Sequence, residues 1–222
     1  MDDYLSEKEQ WEWLKAQLKV NGPWIIAGVA AGALVLYGWH WWQGHADELA
    51  SQASAQTRQI AEAFGRRDRG RAVALIDALQ HAQPKSPYVS EANLIAARAF
   101  VDAGELDKAA ARLKTVMDST GDHALALVAR ERLARVQIAQ NAPDAALATL
   151  AAVDPGSFAS RYHEVRGDAF EAKKDFASAL KEYRAARSLD AAGSVDPERL
   201  DLKIGDLVAD ESAPRAAAAG AK

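Results

Sequence analysis

The chain has 222 residues, no cysteine, 27 Lys+Arg against 31 Asp+Glu and a formal net charge of −4. The missing thiols exclude a disulfide scaffold, cysteine-ligated zinc, iron–sulfur clusters and thiol nucleophiles, and the weakly acidic balance argues against a nucleic-acid binder. These averages conceal a lopsided layout: all six tryptophans fall within the first 42 residues, and no Asp, Glu, Lys or Arg occurs from Val20 to Ala46.

The leader, residues 1–22, opens with Ser6 and Glu9 at capping-box spacing, followed by Trp11, Leu14 and Leu18 at helical spacing. This pattern predicts a short amphipathic helix lying on lipid headgroups, ended by Asn21-Gly22-Pro23. Residues 23–42, PWIIAGVAAGALVLYGWHWW, carry no formal charge. As a helix of about 30 Å they match a bilayer's hydrocarbon core. Trp24 stands at one end and Trp39, Trp41 and Trp42 at the other, the spacing of two aromatic belts. Gly28 and Gly32 form a small-xxx-small pair that permits close helix approach. A cleaved signal peptide is the rival reading. The leader's three lysines against five acids, and the length of the apolar stretch, favour an uncleaved anchor. Lys8, Lys15 and Lys19 precede the span and only Arg58 follows it within sixteen residues, which orients the N-terminus to the cytoplasm. In a bacterium the long C-terminal part then lies in the periplasm.

Beyond the span, apolar residues recur at i, i+3, i+4 and i+7 and no segment alternates long enough for a strand. The prediction is an all-α chain: a single transmembrane helix, then helices at 46–66, 69–82, 87–103, 105–118, 122–140, 143–153, 158–173, 175–189 and 196–208. Ser86-Pro87 and Asp196-Pro197 set cap residues before proline. The domain of helices spans 43–208, and 209–222, ending in an alanine run, reads as a flexible tail.

Three segments superimpose without gaps, 96–113, 133–150 and 166–183, at offsets of 37 and 33 that bracket a tetratricopeptide repeat. The packing positions are Ala97, Phe100 and Ala109 in the first unit, and Ala134 and Ala146 in the second. Gly167, Phe170, Phe176, Ala179 and Tyr183 hold them in the third. Gln137 and Pro143 make the middle unit degenerate, and a fourth unit is placed around Ala72. Stacked helix pairs of this kind form a solenoid whose inner surface binds peptide or protein. The five histidines are scattered, the carboxylates fit exposed helix faces, and the basic run Arg66–Arg71 reads as an inter-helix turn. No catalytic, metal or cofactor motif is present, so the reading is a non-enzyme.

The junction WHWWQGHADELAS at 39–51, AARAFVDAGELDKAAARLKTVM at 96–117, RERLARVQIAQNAPDAALATL at 130–150 and RGDAFEAKKDFASALKEYRAA at 166–186 follow one another in this order. In that order the chain resembles the YfgM family, ancillary subunits of the bacterial SecYEG translocon. The resemblance implies an inner-membrane protein with partners at the translocon and a membrane-anchored periplasmic chaperone of the prolyl-isomerase type (PpiD). It also implies exported protein clients and an influence of the leader on a cytoplasmic stress regulator. It carries over no catalytic residue. The alternative is a scaffold for another envelope assembly, in cell division or outer-membrane biogenesis.

Overall fold

Proline, glycine and cap residues divide the chain into helices close to those expected from the sequence. The computed structural model describes the backbone of residues 7–84, 86–190 and 193–219. Within these, side chains are described from Gln10 to Val208, apart from Gln17, Leu18, Ile25 and Ala46. The elements are α1 (Glu7–Gly65), α2 (Arg69–Ala82), α3 (Pro87–Asp102), α4 (Leu106–Ser119), α5 (His123–Ala139) and α6 (Pro143–Ala151). A 3-10 turn at Gly156–Phe158 leads to α7 (Ala159–Ala172), α8 (Phe176–Leu189) and α9 (Pro197–Ala219). Among the described residues there is no strand.

The chain divides into two compact units, Met1–Gln52 and Ala53–Lys222. The first unit differs from expectation at Pro23. The helix does not end there; it bends by 44° between Gln10–Trp24 and Ile26–Gly65. Proline removes one backbone donor and its ring crowds the carbonyl four residues back, which a helix accommodates by kinking. No single helix among the described residues is long and apolar enough to cross a membrane. The bent pair, taken together, is long and apolar enough. The Ser6–Glu9 capping box lies outside the described residues, as does the side chain of Leu18.

In the second unit α3 packs on α4, α4 on α5, α5 on α6, α6 on α7, α7 on α8 and α8 on α9, with α5 and α7 also in direct contact. The repeat shows in its turns. Arg67, Gly104, Asn141 and Lys174 each take a left-handed φ, between 59° and 73°. Their spacings are 37, 37 and 33 residues. At all four the amide of the left-handed residue donates three residues back, and the next amide donates five residues back: Asp68 to Ala63, Glu105 to Phe100, Ala142 to Gln137 and Asp175 to Phe170. This doubly bonded C-terminal turn satisfies carbonyls that a helix end leaves orphaned.

The same register runs through the core. Ala72, Ala109, Ala146 and Ala179 are all fully buried. Four residues on, Ile76, Leu113, Leu150 and Tyr183 are buried as well. Alanine allows the crossing and the large residue fills the space above it, each buried aliphatic contributing about 1.5–3 kcal/mol. The unit around Ala72 is therefore a full helix pair: its first helix is the end of α1, with Ala53, Ile60 and Ala63 buried, and Phe64 meets Phe100 edge-on at 5.9 Å. Among the described residues the repeat comprises four helix pairs, followed by α9.

Side-chain caps explain four of the helix starts. Asp68, Asp122 and Asp175 accept from backbone amides in the first turns of α2, α5 and α8. Asp196 accepts from the amides of Glu198 and Arg199. Ser86 makes no side-chain cap bond, so Pro87 at the first helical position carries that start. The helix α9 continues through Gly205 to Ala219. Side chains from Ala209 onward and residues 220–222, where the tail was expected to fray, lie outside the described residues.

Candidate protein-interaction groove

The first helices of the last three pairs, α3, α5 and α7, share one further row of side chains, and its chemistry changes along the stack. In α3 they are Leu94, Arg98 and Val101, and the same register gives Glu131, Arg135 and Ile138 in α5. In α7 it gives Glu164, Asp168 and Glu171. One end of the surface is apolar with arginines; the other is acidic.

Glu164 and Asp168, at the acidic end, are neutralised from within. Glu164 is 1% exposed, yet it is held by Arg199 at 2.5 Å, Arg135 at 3.4 Å and Lys203 at 3.6 Å. Lys203 also binds Asp168 and lies 5.1 Å over the Tyr183 ring. Arg135 pairs with Glu131 at 2.6 Å. Burial works against the charged form of Arg135, but the carboxylates of Glu131, Glu164 and Asp168 more than compensate and raise its pKa. A carboxylate this buried is tolerable only with its charge met by partners. The hub joins α5, α7 and α9, and α9 closes the acidic end of the stack. The expectation that the carboxylates sit on exposed faces is corrected here: Glu131, Glu164 and Glu182 are all buried. Each is balanced by a basic partner 4 to 35 residues away, Glu182 by Arg166 at 3.3 Å, with the His163 ring hydrogen-bonded to it at 2.6 Å. Paired residues of opposite sign at i, i+4 on α7 (Glu164, Asp168) and α9 (Arg199, Lys203) are the signal that sequence reasoning passed over.

Two tyrosines fix α7 on its neighbours. Tyr162 donates to the Leu127 carbonyl at 3.0 Å, and burial pushes its hydroxyl up to about 12. Tyr183 lies 2.7 Å from Asp168 and 2.6 Å from Glu171, and burial together with these carboxylates raises its pKa far above the ordinary tyrosine value.

Next to this hub, on the far side of Arg135, the surface stays open. A recess of about 480 Å³ lies between α3 and α5, with α4 behind it. Half-buried Leu94 and Ile95, exposed Val101 and buried Val136 line it, with Arg98 and Arg132 at its rim.

The residues singled out for repeat packing take these places. Ala97, Phe100, Ala109, Ala134, Ala146, Gly167, Ala179 and Tyr183 are buried, and Phe170 is partly buried against the cluster at α8 and α9. Phe176, at the first position of α8, stays 40% exposed and fills no groove. Gln137, an apolar position in the other units, accepts from the Thr149 hydroxyl at 2.8 Å, so a polar pair links α5 and α6 there. In the first unit Trp24, Trp39, Trp41 and Trp42 are all exposed. Trp39 and Trp42 stand 5.6 Å apart, and nothing lies within 4 Å of a side chain built at Gly28 or Gly32. Among the described residues no cluster of three His, Asp or Glu is placed to hold a metal ion.

Paired antiparallel helices in a constant register, capped by an extra helix, define a tetratricopeptide-like repeat protein, a class built to present an extended binding surface. A family profile described as a tetratricopeptide repeat-like domain matches residues 15–209. The chain is 33% identical to the "Ancillary SecYEG translocon subunit" of Escherichia coli (strain K12), over 93% of this chain and 99% of that one. It is 30% identical to the protein of the same name from Neisseria gonorrhoeae, over 93% of this chain and all of that one. The chain belongs to this family of ancillary SecYEG translocon subunits with a tetratricopeptide repeat-like domain. Among solved structures, MamA (41-end) from Desulfovibrio magneticus RS-1 matches with a TM-score of 0.56 at 17% identity. It covers 75% of this chain and 89% of that one, a likeness of fold.

Proposed function

We propose that the chain is a membrane-anchored, non-enzymatic subunit that associates with the Sec translocon and holds a folding partner beside the exit of exported proteins. The observation that carries this reading is the union in one chain of a repeat scaffold with an open recess and an uncharged segment, 23–42, bounded by Trp24 and by Trp39, Trp41 and Trp42. The names of the relatives from Escherichia coli and Neisseria gonorrhoeae support the translocon part.

In this reading the segment crosses the bacterial inner membrane once, with the lysine-bearing leader in the cytoplasm and the repeat domain in the periplasm. Gly28 and Gly32 offer a close approach to a neighbouring helix. The repeat surface binds a membrane-anchored chaperone of the prolyl-isomerase type, through which exported chains are assisted; the leader faces a cytoplasmic stress regulator. Anchoring replaces a three-dimensional search by a high local concentration, so weak contacts at the groove suffice. The test is copurification from gently solubilised membranes. Recovery of translocon and chaperone subunits with the full chain is the expected result; loss of both overturns the reading.

A further inference from the structure

The charges of the groove are unevenly spent. On α7 the carboxylates of Glu164 and Asp168 are consumed by Arg135, Arg199 and Lys203. Both of these carboxylates are met by basic partners, and Glu171 at the end of the row is met only by the Tyr183 hydroxyl. At the recess the balance is reversed. Arg98 has a side chain 86% exposed and reaches only Asp102, at 4.0 Å. Arg132 is exposed and makes no ion pair among the described residues. Glu91 is the one acid among the lining residues, against three arginines: Arg135, held by Glu131 and Glu164, and Arg98 and Arg132, which can turn outward.

Below the guanidinium groups lies an apolar floor. Val101 is 42% exposed although it sits mid-surface, one turn from Arg98. Leu94 and Ile95 remain half-buried and Val136 completes the base. Covering such a surface releases water at about 25 cal/mol for each Å² of apolar area, while the rim selects the sign of the partner's charge. Arginine favours carboxylate because its planar fork matches two oxygens and is weakly hydrated.

We propose that the recess between α3 and α5 docks an acidic peptide segment of a partner protein. One large apolar side chain rests on Leu94, Ile95, Val101 and Val136, and flanking carboxylates meet Arg98 and Arg132. This deepens the reading of the domain as a protein-binding module and rests on it. It names the surface used and the chemistry of the partner.

The test uses the full chain in nanodiscs and three fluorescein-labelled peptides of equal length. One carries leucines flanked by aspartates, the second replaces the aspartates by lysines, and the third replaces the leucines by serines. The acidic leucine peptide is expected to bind tightest by about tenfold over either control, and to weaken as salt is raised. The double variant Arg98→Glu with Arg132→Glu is expected to weaken it by about tenfold and to improve the lysine peptide. Both arginines are exposed, so the fold survives the change; Arg132→Ala, with a smaller loss of the same sign, guards against misfolding. Equal binding of the three peptides, no binding at all, or indifference to the double variant each overturns the proposal. So does a halving of the assembly's mass on Val101→Asp, which would assign the recess to a second copy of the chain. Copurification with the translocon, measured in parallel, separates the two readings. Retained copurification without peptide selectivity removes this inference alone; peptide selectivity without copurification removes the translocon reading alone.

Discussion

The ring of Tyr183 occupies the space that a side chain at Gly167 would need. A Cβ built on Gly167 falls 2.5 Å from Cδ1 and 3.0 Å from Cζ of that ring. The ring is fully buried, and its hydroxyl is tied to Asp168 and Glu171. The closest crossing of α7 and α8 therefore depends on one missing methyl group.

Gly167→Ala is expected to destabilise the domain, although alanine is the better helix former by about 1 kcal/mol. Overpacking of this kind costs about 1–3 kcal/mol, and the tethered ring has no free rotamer to retreat into. The decisive measurement is a double-mutant cycle by urea unfolding. Gly167→Ala and Tyr183→Leu are expected to be strongly non-additive, the smaller leucine absorbing the added methyl. Additive losses would mean the overlap is relieved elsewhere.

Why this crossing was legible in the sequence, and other features were not, follows from the range of the forces involved. Gly167, Ala179 and Tyr183 belong to a periodic pattern, and periodicity survives in a linear sequence. The helix boundaries were legible for a similar reason, since Pro87, Asp122, Pro143 and Asp175 act on adjacent residues. The first pair was harder to see because Ile60 and Ala63 sit in a long helix with no break between leader and repeat. Its turn at Arg67 uses a residue type with no preference for a positive φ. The hub at Glu164 was harder to read than the repeat: its partners lie 29 to 39 residues away, and only the i, i+4 pairs on α7 and α9 hint at it. The recess depends on how far α3 stands from α5, which no local pattern encodes.

Glu164 and Arg199 are expected to differ sharply as mutational targets. Glu164→Ala leaves Arg135, Arg199 and Lys203 converging on a buried site without their anion, a loss of about 3–5 kcal/mol. Arg199 is half-exposed, and Glu164 keeps two other cations, so Arg199→Ala costs about 1 kcal/mol or less. Hydrogen exchange reads where the loss falls. In Glu164→Ala the amides of α9 are expected to lose protection first, with α3 and α4 unchanged. Equal effects of the two variants would show that α9 is held by its apolar residues, Leu200 and Leu207, alone.

The pH dependence has a defined sign at the alkaline end. Folding raises the pKa of Tyr183 above its ordinary value of 10, by burial and by the carboxylates beside it. The unfolded chain therefore releases this proton first. The stabilisation is fully present below pH 10 and is lost as pH rises beyond it. Tyr162, pushed up to about 12, acts in the same direction. Tyr183→Phe removes hydrogen bonds to carboxylates and is expected to lower stability at neutral pH by about 1–3 kcal/mol. Its deficit relative to the parent chain is expected to shrink as pH is raised through 10, because phenylalanine has no proton to lose. Thermal melts of both proteins across that range check this; a constant deficit would place the alkaline loss elsewhere.

The absence of cysteine makes the proposed orientation directly measurable. A single thiol introduced at Gln10 belongs to the leader, and one at Lys181 lies on an exposed face of α8, so each reports one side of segment 23–42. Lys8, Lys15 and Lys19 against Arg58 give the bias that favours a cytoplasmic leader, since lysine and arginine resist translocation. In cells with a permeabilised outer membrane, a membrane-impermeant maleimide is expected to label Lys181→Cys and spare Gln10→Cys until the inner membrane is broken. Labelling of both before lysis would mean that the segment does not span, and the reverse pattern would invert the topology. Replacing Trp39, Trp41 and Trp42 together by alanine removes the rings proposed to sit at the headgroups on the far side. Their loss is expected to blur the protection at position 10 without altering the thermal unfolding of the repeat domain, whose described core contains no tryptophan.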